Sequence, residues 1–227
     1  MIELLNMDCM EFLRKQADKS FDLAIVDPPY FSEIAKEGFY GSPISKIGIK
    51  RFRSKSNHWE IPDENYFNEL FRVSKNQIIW GCNYYAQHIP SVGRIVWDKK
   101  NDTSSYSNCE LASQSFSLGV FIFRHEWNGM LQENMNNKEQ RIHPTQKPVK
   151  LYEWILTKYA KPGQRILDTH GGSMSIAVAC HNLGYDLTLC ELDEGYYKAG
   201  VARFEQHKAQ GSLFTPQAVE LKQQPLI

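Results

Sequence analysis

The chain has 227 residues with 26 basic and 26 acidic side chains, so its formal net charge is zero and overall charge announces no partner. A hydrophobic fraction of 42% and an aromatic fraction of 12% are enough for a buried core, and the length fits one large domain, or one domain with an insertion. No apolar run is long enough to span a bilayer, and Met1 to Leu5 lacks the pattern of a secretory signal. The five cysteines, Cys9, Cys82, Cys109, Cys180 and Cys190, form no C-x-x-C pair. That argues against a zinc site or a disulfide framework and for a reducing cytoplasm.

In chain order, Ile2 to Asn6 reads as a strand, and Cys9, Leu13 and Ala17 then share a helical face. Phe21 to Asp27 is a second strand. Residues 31–62 keep no period and form a long insertion loop. It carries Lys46, Lys50, Arg51, Arg53 and Lys55 with no acid among them, a stretch that can neutralise phosphates or be a solvated loop. Asp63 is an N-cap for a helix with Tyr66, Phe67, Leu70, Phe71 and Ser74 on one face. Strands are predicted at Gln77–Gly81, at Arg94–Asp98 and, near a sheet edge, at Phe116–Arg124, with a short helix around Tyr84 to His88. Residues 126–143 are polar and asparagine-rich and read as a second mobile loop.

The last third alternates. A helix face at Tyr152, Ile155 and Tyr159 precedes a strand at Arg165–Asp168, and a face at Ile176, Cys180 and Leu183 precedes a strand at Asp186–Glu191. A final helix covers about 194–206. Strands alternating with helices imply an α/β, doubly wound, mostly parallel sheet covered on both faces. The domain spans 1–210, with 211–227 a loosely attached tail.

Three segments carry chemistry. Asp27-Pro28-Pro29-Tyr30 follows a buried strand, where open α/β sheets place their ligands. Two prolines stiffen the turn and hold an acceptor beside a flat ring, an arrangement suited to a planar amine-bearing substrate. Asp168-Thr169-His170-Gly171-Gly172-Ser173 joins a strand to a helix, where adjacent glycines admit a ligand close to the backbone and free N–H groups face an anion. Glu191 ends the next strand, 23 residues on, and can accept ribose hydroxyls. No G-x-G-x-x-G is present, so a sulfonium nucleoside with a carboxylate tail fits better than a dinucleotide. In His143-Pro144-Thr145-Gln146-Lys147-Pro148, Thr145 and Lys147 can reach that carboxylate, and His143 positions the loop.

Together D-P-P-Y, W-G-x-N-Y-Y, H-P-T-Q-K-P and the glycine turn resemble the S-adenosylmethionine-dependent DNA amino-methyltransferases. The motif order is similar to the circularly permuted β class, and the small phage- and prophage-type N6-adenine enzymes are most alike. The resemblance covers about residues 2–204 and implies a Rossmann-like methyltransferase fold with S-adenosylmethionine as cofactor. It implies a catalytic motif of Asp27, Pro28, Pro29 and Tyr30, with Asp27 and the Pro28 carbonyl accepting from the target amine and Tyr30 stacking on the base. For the cofactor it implies Asp8 at the adenine edge, with Cys9, Thr145, Gln146, Lys147, Asp168, His170, Gly171, Gly172, Ser173, Glu191 and Leu192. For nucleic acid, the candidates are Lys50, Arg51, Arg53, Lys55 and Asn83.

The family's glycine turn usually reads D-P-F-x-G-S-G-T, whereas Thr169, His170 and Met174 stand here, and Asp8 lacks the usual preceding glycine. These departures bear on how the cofactor is held. The expected partner is double-stranded DNA with the target base flipped out, with no membrane and with a homodimer implied by the resemblance. Restriction–modification is the expected setting. The alternatives are N4-cytosine methylation, methylation of RNA or a protein glutamine, and a non-catalytic DNA-binding protein on a degenerate methyltransferase fold. The predicted glycine-turn and catalytic strands are neighbours in the sheet despite about 140 residues between them.

Overall fold

The structure, a computed structural model, describes residues 1–30, 60–90, 92–102, 107–128 and 131–213. The basic stretch at 46–55, including Lys50, Arg51, Arg53 and Lys55, and the tail beyond 213 lie outside the described residues.

Among the described residues, eight strands form one sheet: β1 (Ile2–Asn6), β2 (Phe21–Val26), β3 (Ser74–Trp80), β4 (Gly93–Asp98), β5 (Cys109–Gln114), β6 (Val120–Arg124), β9 (Arg165–Asp168) and β10 (Asp186–Glu191). A separate two-stranded ribbon joins β7 (Trp127–Asn128) to β8 (Leu131–Gln132). The sheet order is β1-β10-β9-β2-β3-β5-β4-β6. Every pairing in it is parallel except the two made by β5. The described helices that cover the sheet are α1 (Cys9–Leu13), α2 (Glu64–Val73), α3 (Val149–Tyr159), α4 (Ser175–Leu183) and α5 (Glu194–Leu213).

The central strands are apolar on both sides because both sides are covered. Leu23 and Ile25 of β2 point into a core shared with Trp80, Trp97 and Ile166 and closed by α3, α4 and Phe204 of α5. Ala24 and Val26, one residue out of phase, point into the other core, closed by α1, α2 and Tyr85. β2 pairs with β9 through Leu23–Ile166 and Ala24–Leu167, so the two site-bearing strands are neighbours as expected. The chain leaves β9 towards β10 and β2 towards β3, in opposite directions along the sheet, which opens a crevice at their carboxyl ends.

Several elements differ from expectation. β5, Cys-Glu-Leu-Ala-Ser-Gln, has no alternating apolar pattern, and only its place between β3 and β4 makes it a strand. Residues 116–119 form a turn rather than strand. The buried Gln114 amide donates to the Ser117 and Gly119 carbonyls and accepts from the Phe116 and Ser117 N–H groups. β6 is an edge strand, as predicted. Residues 84–88 form successive turns, not a helix. α1 stops at Leu13, so Ala17 lies beyond it.

The segment at 126–143 is tied down rather than loose. Trp127 Nε1 donates to the Gln146 carbonyl at 2.8 Å, Gln132 and Glu139 exchange two hydrogen bonds, and Arg203 pairs with Glu139 at 2.8 Å. No helix among the described residues is long and apolar enough to cross a membrane. The five cysteines carry no disulfide, and no cluster of metal-ligating side chains occurs among the described residues.

Candidate active site

The crevice is a cavity of about 850 Å³, within the range of small-molecule sites. It is lined by Asp27, Pro28, Pro29 and Tyr30 and by Asp8, Cys9, Thr145, Gln146, Lys147, His170, Gly171, Gly172, Ser173, Glu191 and Leu192. One cavity thus gathers the predicted catalytic residues and all but one of the predicted cofactor residues. Asp168 lies beneath the floor, and the exposed Asn83 is not on the lining.

Asp27 extends from the end of β2. Its Oδ2 accepts from Lys147 Nζ at 2.5 Å, while Oδ1 is buried with no hydrogen-bond partner among the described residues. Burial raises its pKa above the ordinary carboxylate range, with Lys147 opposing. The turn after it is braced by Tyr85, whose hydroxyl lies 2.6 Å from the Pro29 carbonyl and 3.0 Å from the Pro28 carbonyl. One hydroxyl proton cannot serve both fully, so Pro28 keeps lone-pair capacity. Tyr30 stacks on Tyr84, with ring centroids 4.7 Å apart and planes 2° apart. Gly81 permits this: its φ is +68°, and a Cβ there would stand 2.5 Å from the Tyr30 ring.

Lys147 does not wait free for a cofactor carboxylate, as its motif led one to expect. Its ammonium, 2% exposed, sits between Asp27 and Glu110, 3.0 Å from Glu110 Oε2 and 5.3 Å above the Trp80 ring. Glu110 of β5 pairs in turn with Lys99 at 2.6 Å. Lys147 is held protonated: burial opposes its charge, and the two carboxylates outweigh burial. Glu110 is held down to about 2; its own burial would raise it, and Lys147 and Lys99 prevail.

The opposite wall is the glycine turn. Gly171 N–H donates to the Cys190 carbonyl at 2.8 Å, and a Cβ at Gly171 would stand 2.2 Å from Leu189. Gly172 has φ +50°, and its N–H donates to Glu191 Oε2 at 2.7 Å, while Glu191 Oε1 accepts from Asp193 N–H at 2.8 Å. Asp168 is buried and accepts the His170 N–H at 3.0 Å; burial pushes its pKa up to about 8.

The unusual residues of this turn have physical places. Thr169 Oγ1 lies 2.7 Å from Tyr66 Oη and 2.8 Å from His170 Nδ1, and Tyr66 meets the His170 ring edge-on at 5.5 Å. Burial lowers the His170 pKa to about 4, so at neutral pH a neutral flat ring lines the cavity. Met174 adopts the left-handed conformation, φ +57°, at the N-cap of α4. Its side chain is fully buried against Gly200 of α5 and stays off the cavity lining.

The third segment mostly binds itself. Gln146 spends its side-chain amide on the Ile142 N–H and the Gln140 carbonyl. Thr145 is exposed and bonds His143 Nδ1. His143 meets Tyr196 edge-on at 4.3 Å, and burial lowers its pKa to about 3, which suits a positioning role better than a base. Asp8 caps α1 by accepting the Met10 N–H at 2.6 Å.

Sequence reasoning overlooked Glu110, Lys99, Tyr66 and Tyr152 as site residues. Tyr66 and Tyr152 carried a faint signal, hydroxyl-bearing rings on otherwise apolar helix faces. Glu110 carried none, because β5 has no recognisable strand pattern, and Lys99 gains its place only through Glu110.

A Rossmann-like sheet with a crevice at its switch point, a glycine turn on one wall and an amine-acceptor motif on the other defines the class: this is a methyltransferase fold. The comparisons bear this out. Residues 96–202 match the family model described as DNA methylase, the N6/N4 type. The chain is 25% identical to the Type II methyltransferase M2.DpnII of Streptococcus pneumoniae, over 89% of each chain. Among solved structures it resembles the M1.HpyAVI–SAM complex, at 17% identity and TM-score 0.57 over 89% of this chain and 100% of that one. It also resembles the cytosine-N4-specific PvuII DNA methyltransferase, at 12% identity and TM-score 0.59 over 92% and 90%. The chain is thus similar to DNA methyltransferases of the N6/N4 type along most of its length.

Proposed function

We propose that this chain transfers the methyl group of S-adenosylmethionine to the N6 amine of an adenine flipped out of duplex DNA, in the cytoplasm of the cell that holds that DNA. The observation that carries the reading is Asp27 Oδ1, a buried acceptor without a partner among the described residues, beside the stacked Tyr30 and Tyr84 rings. A buried polar atom left unpaired is costly, and of the unpaired buried polar atoms among the described residues only that of Asp27 belongs to a residue lining the cavity. An exocyclic amine can supply the missing donor.

The residues fit the cofactor. Gly171 and Gly172 leave the cavity wall without side chains, and Glu191 is fixed at its rim by two backbone N–H groups. Glu191, Asp8, His170 and Ser173 would hold it, with Glu191 towards the ribose and the His170 ring where the family usually has Phe. When bound, the cofactor supplies an electrophilic sulfonium methyl.

Asp27 Oδ1 and the Pro28 carbonyl accept the two amine protons. Their pull draws the nitrogen towards tetrahedral geometry and localises its lone pair, which electrostatic stabilisation aimed at developing charge achieves best in a dry site. Alignment of the two reactants across one cavity supplies further acceleration. Tyr30 offers the base a stacking platform, worth about 1–3 kcal/mol against the cost of flipping. The amine proton is lost after nitrogen has gained the methyl, so Asp27 need not be a strong base.

Asp27→Ala is expected to keep cofactor binding and lose methyl transfer. Full activity in that variant would sink the reading. Methylation of mixed-sequence DNA with labelled cofactor, followed by mass analysis of the nucleosides, decides the base. N6-methyladenine is expected because the motif begins with Asp, whereas N4-cytosine enzymes more often begin with Ser, and N4-methylcytosine would replace the adenine assignment.

A further inference from the structure

We infer that Lys147, itself held in place by Glu110, is a positioning residue for the reaction, which keeps the Asp27 carboxylate ionised and turned so that one oxygen faces the target amine. The inference rests on the reading above.

The geometry comes from four elements. Asp27 ends β2, Lys147 precedes α3, Glu110 lies on β5, and Lys99 follows β4. Their charges alternate along a chain: Asp27 Oδ2 to Lys147 at 2.5 Å, Lys147 to Glu110 Oε2 at 3.0 Å, and Glu110 Oε1 to Lys99 at 2.6 Å. Two carboxylates and two ammoniums cancel, so the network can persist in a dry site where an odd charge could not. The Lys147–Glu110 contact is an ion pair without hydrogen-bond alignment, since Glu110 Oε2 lacks a hydrogen-bond partner among the described residues. Glu110 therefore attracts the ammonium without fixing its angle, and the directed bond of Lys147 goes to Asp27 Oδ2.

That bond has two consequences. It pins one carboxylate oxygen and leaves Oδ1 without a hydrogen-bond partner among the described residues, on a side chain that lines the cavity. It also opposes burial, which on its own favours the protonated acid. A protonated Asp27 would offer the amine a poor acceptor. The other groups around Asp27 do not replace Lys147. Asp168 on β9 is a carboxylate, and Tyr30, Tyr85 and Tyr152 have hydroxyls raised by burial, so they remain neutral across the working range. Lys99 contacts Glu110 rather than Asp27 and is the weaker influence on it. His143 is neutral and brings no charge to Asp27.

The test uses the full chain, mixed-sequence duplex DNA and S-adenosylmethionine. Lys147→Met is expected to lower kcat at pH 7 at least about tenfold and to move the acid limb of the kcat profile up by about 1–3 units, as loss of an adjacent opposite charge does. Glu110→Gln is expected to leave that limb at or below its wild-type position, because it removes a like charge from Asp27. Lys147→Arg is expected to keep the limb in place even where kcat falls. Cofactor affinity by calorimetry should change less than about threefold in all three, which also reports folding.

Limbs that move together in the Met and Gln variants would overturn the inference. So would an unmoved limb with cofactor affinity weakened tenfold in Lys147→Met, which would return Lys147 to the cofactor. Absence of methylation by the wild-type chain would instead overturn the underlying reading, and the two failures are thereby distinguished.

Discussion

Asp27, part-buried, and Asp168, fully buried, are carboxylates at the ends of paired strands, and their surroundings give them different characters. Asp27 has an ammonium on one oxygen, whereas Asp168 has only a backbone N–H and sits near Asp27 and Glu191. Because burial raises the folded-state pKa of Asp168 to about 8, its protonated form favours the fold. That contribution is complete below the unfolded value, about 4, and is lost as pH rises towards 8. Asp168→Asn keeps an acceptor for His170 N–H and removes the titration. Its melting temperature should exceed wild type at pH 8 and converge with it near pH 4. The adjacent glycines also differ. Gly171→Ala forces a Cβ to 2.2 Å from Leu189 and should cost about 1–3 kcal/mol by urea unfolding. Gly172→Ala meets nothing closer than 3.6 Å and carries mainly the left-handed backbone penalty, about 1–2 kcal/mol.

At the scale of elements, the site is held by joints between segments distant in sequence. Arg203 of α5 donates to the Ser173 carbonyl, to Ser175 Oγ and to Glu139, and so fastens the 126–143 segment and the glycine turn to one helix. Arg203→Ala should destabilise by about 1.5–3 kcal/mol, as loss of charged hydrogen bonds does. It should also weaken cofactor binding in calorimetry, because the Ser173 carbonyl loses its donor. α2 begins at Asp63, which accepts the Tyr66 N–H, and that helix delivers Tyr66 to Thr169. Asp63→Ala should cost about 1 kcal/mol of stability, with Asp63→Asn restoring most of it. Composition alone made 126–143 look loose. A polar segment can be ordered when its polar groups find partners, as Gln132, Glu139 and Gln146 do.

At the scale of the molecule, two halves of the chain meet at the β2–β9 pairing, and donor and acceptor walls face one cavity because of it. Duplex DNA has to approach that cavity, and the described residues offer no separate recognition domain. For the function proposed above, we propose the basic stretch at Lys50, Arg51 and Arg53 as the phosphate-binding segment. Neutralising all three should weaken DNA binding and flatten the dependence of log K on log salt, by about 0.9 for each phosphate no longer neutralised. An unchanged slope would remove the stretch from the interface.

The sequence by itself determined the alternation of strands and helices in the last third, the buried β2 run, the helix cap at Asp63 and the residues on both cavity walls. Each of these is written locally, in apolar period, capping chemistry or a rigid turn. Only the tertiary structure decided the rest. β5 is a strand because a gap between β3 and β4 accepts it, and its polar pattern says nothing of that. Lys147 turned from the cofactor to Asp27 because Glu110 on β5 and Lys99 just after β4, far from it in sequence, complete its charge balance. The Met174 side chain is buried because Gly200, on another helix, leaves room for it. Charge pairing and close packing are properties of neighbours in space, and a chain read in order does not contain them.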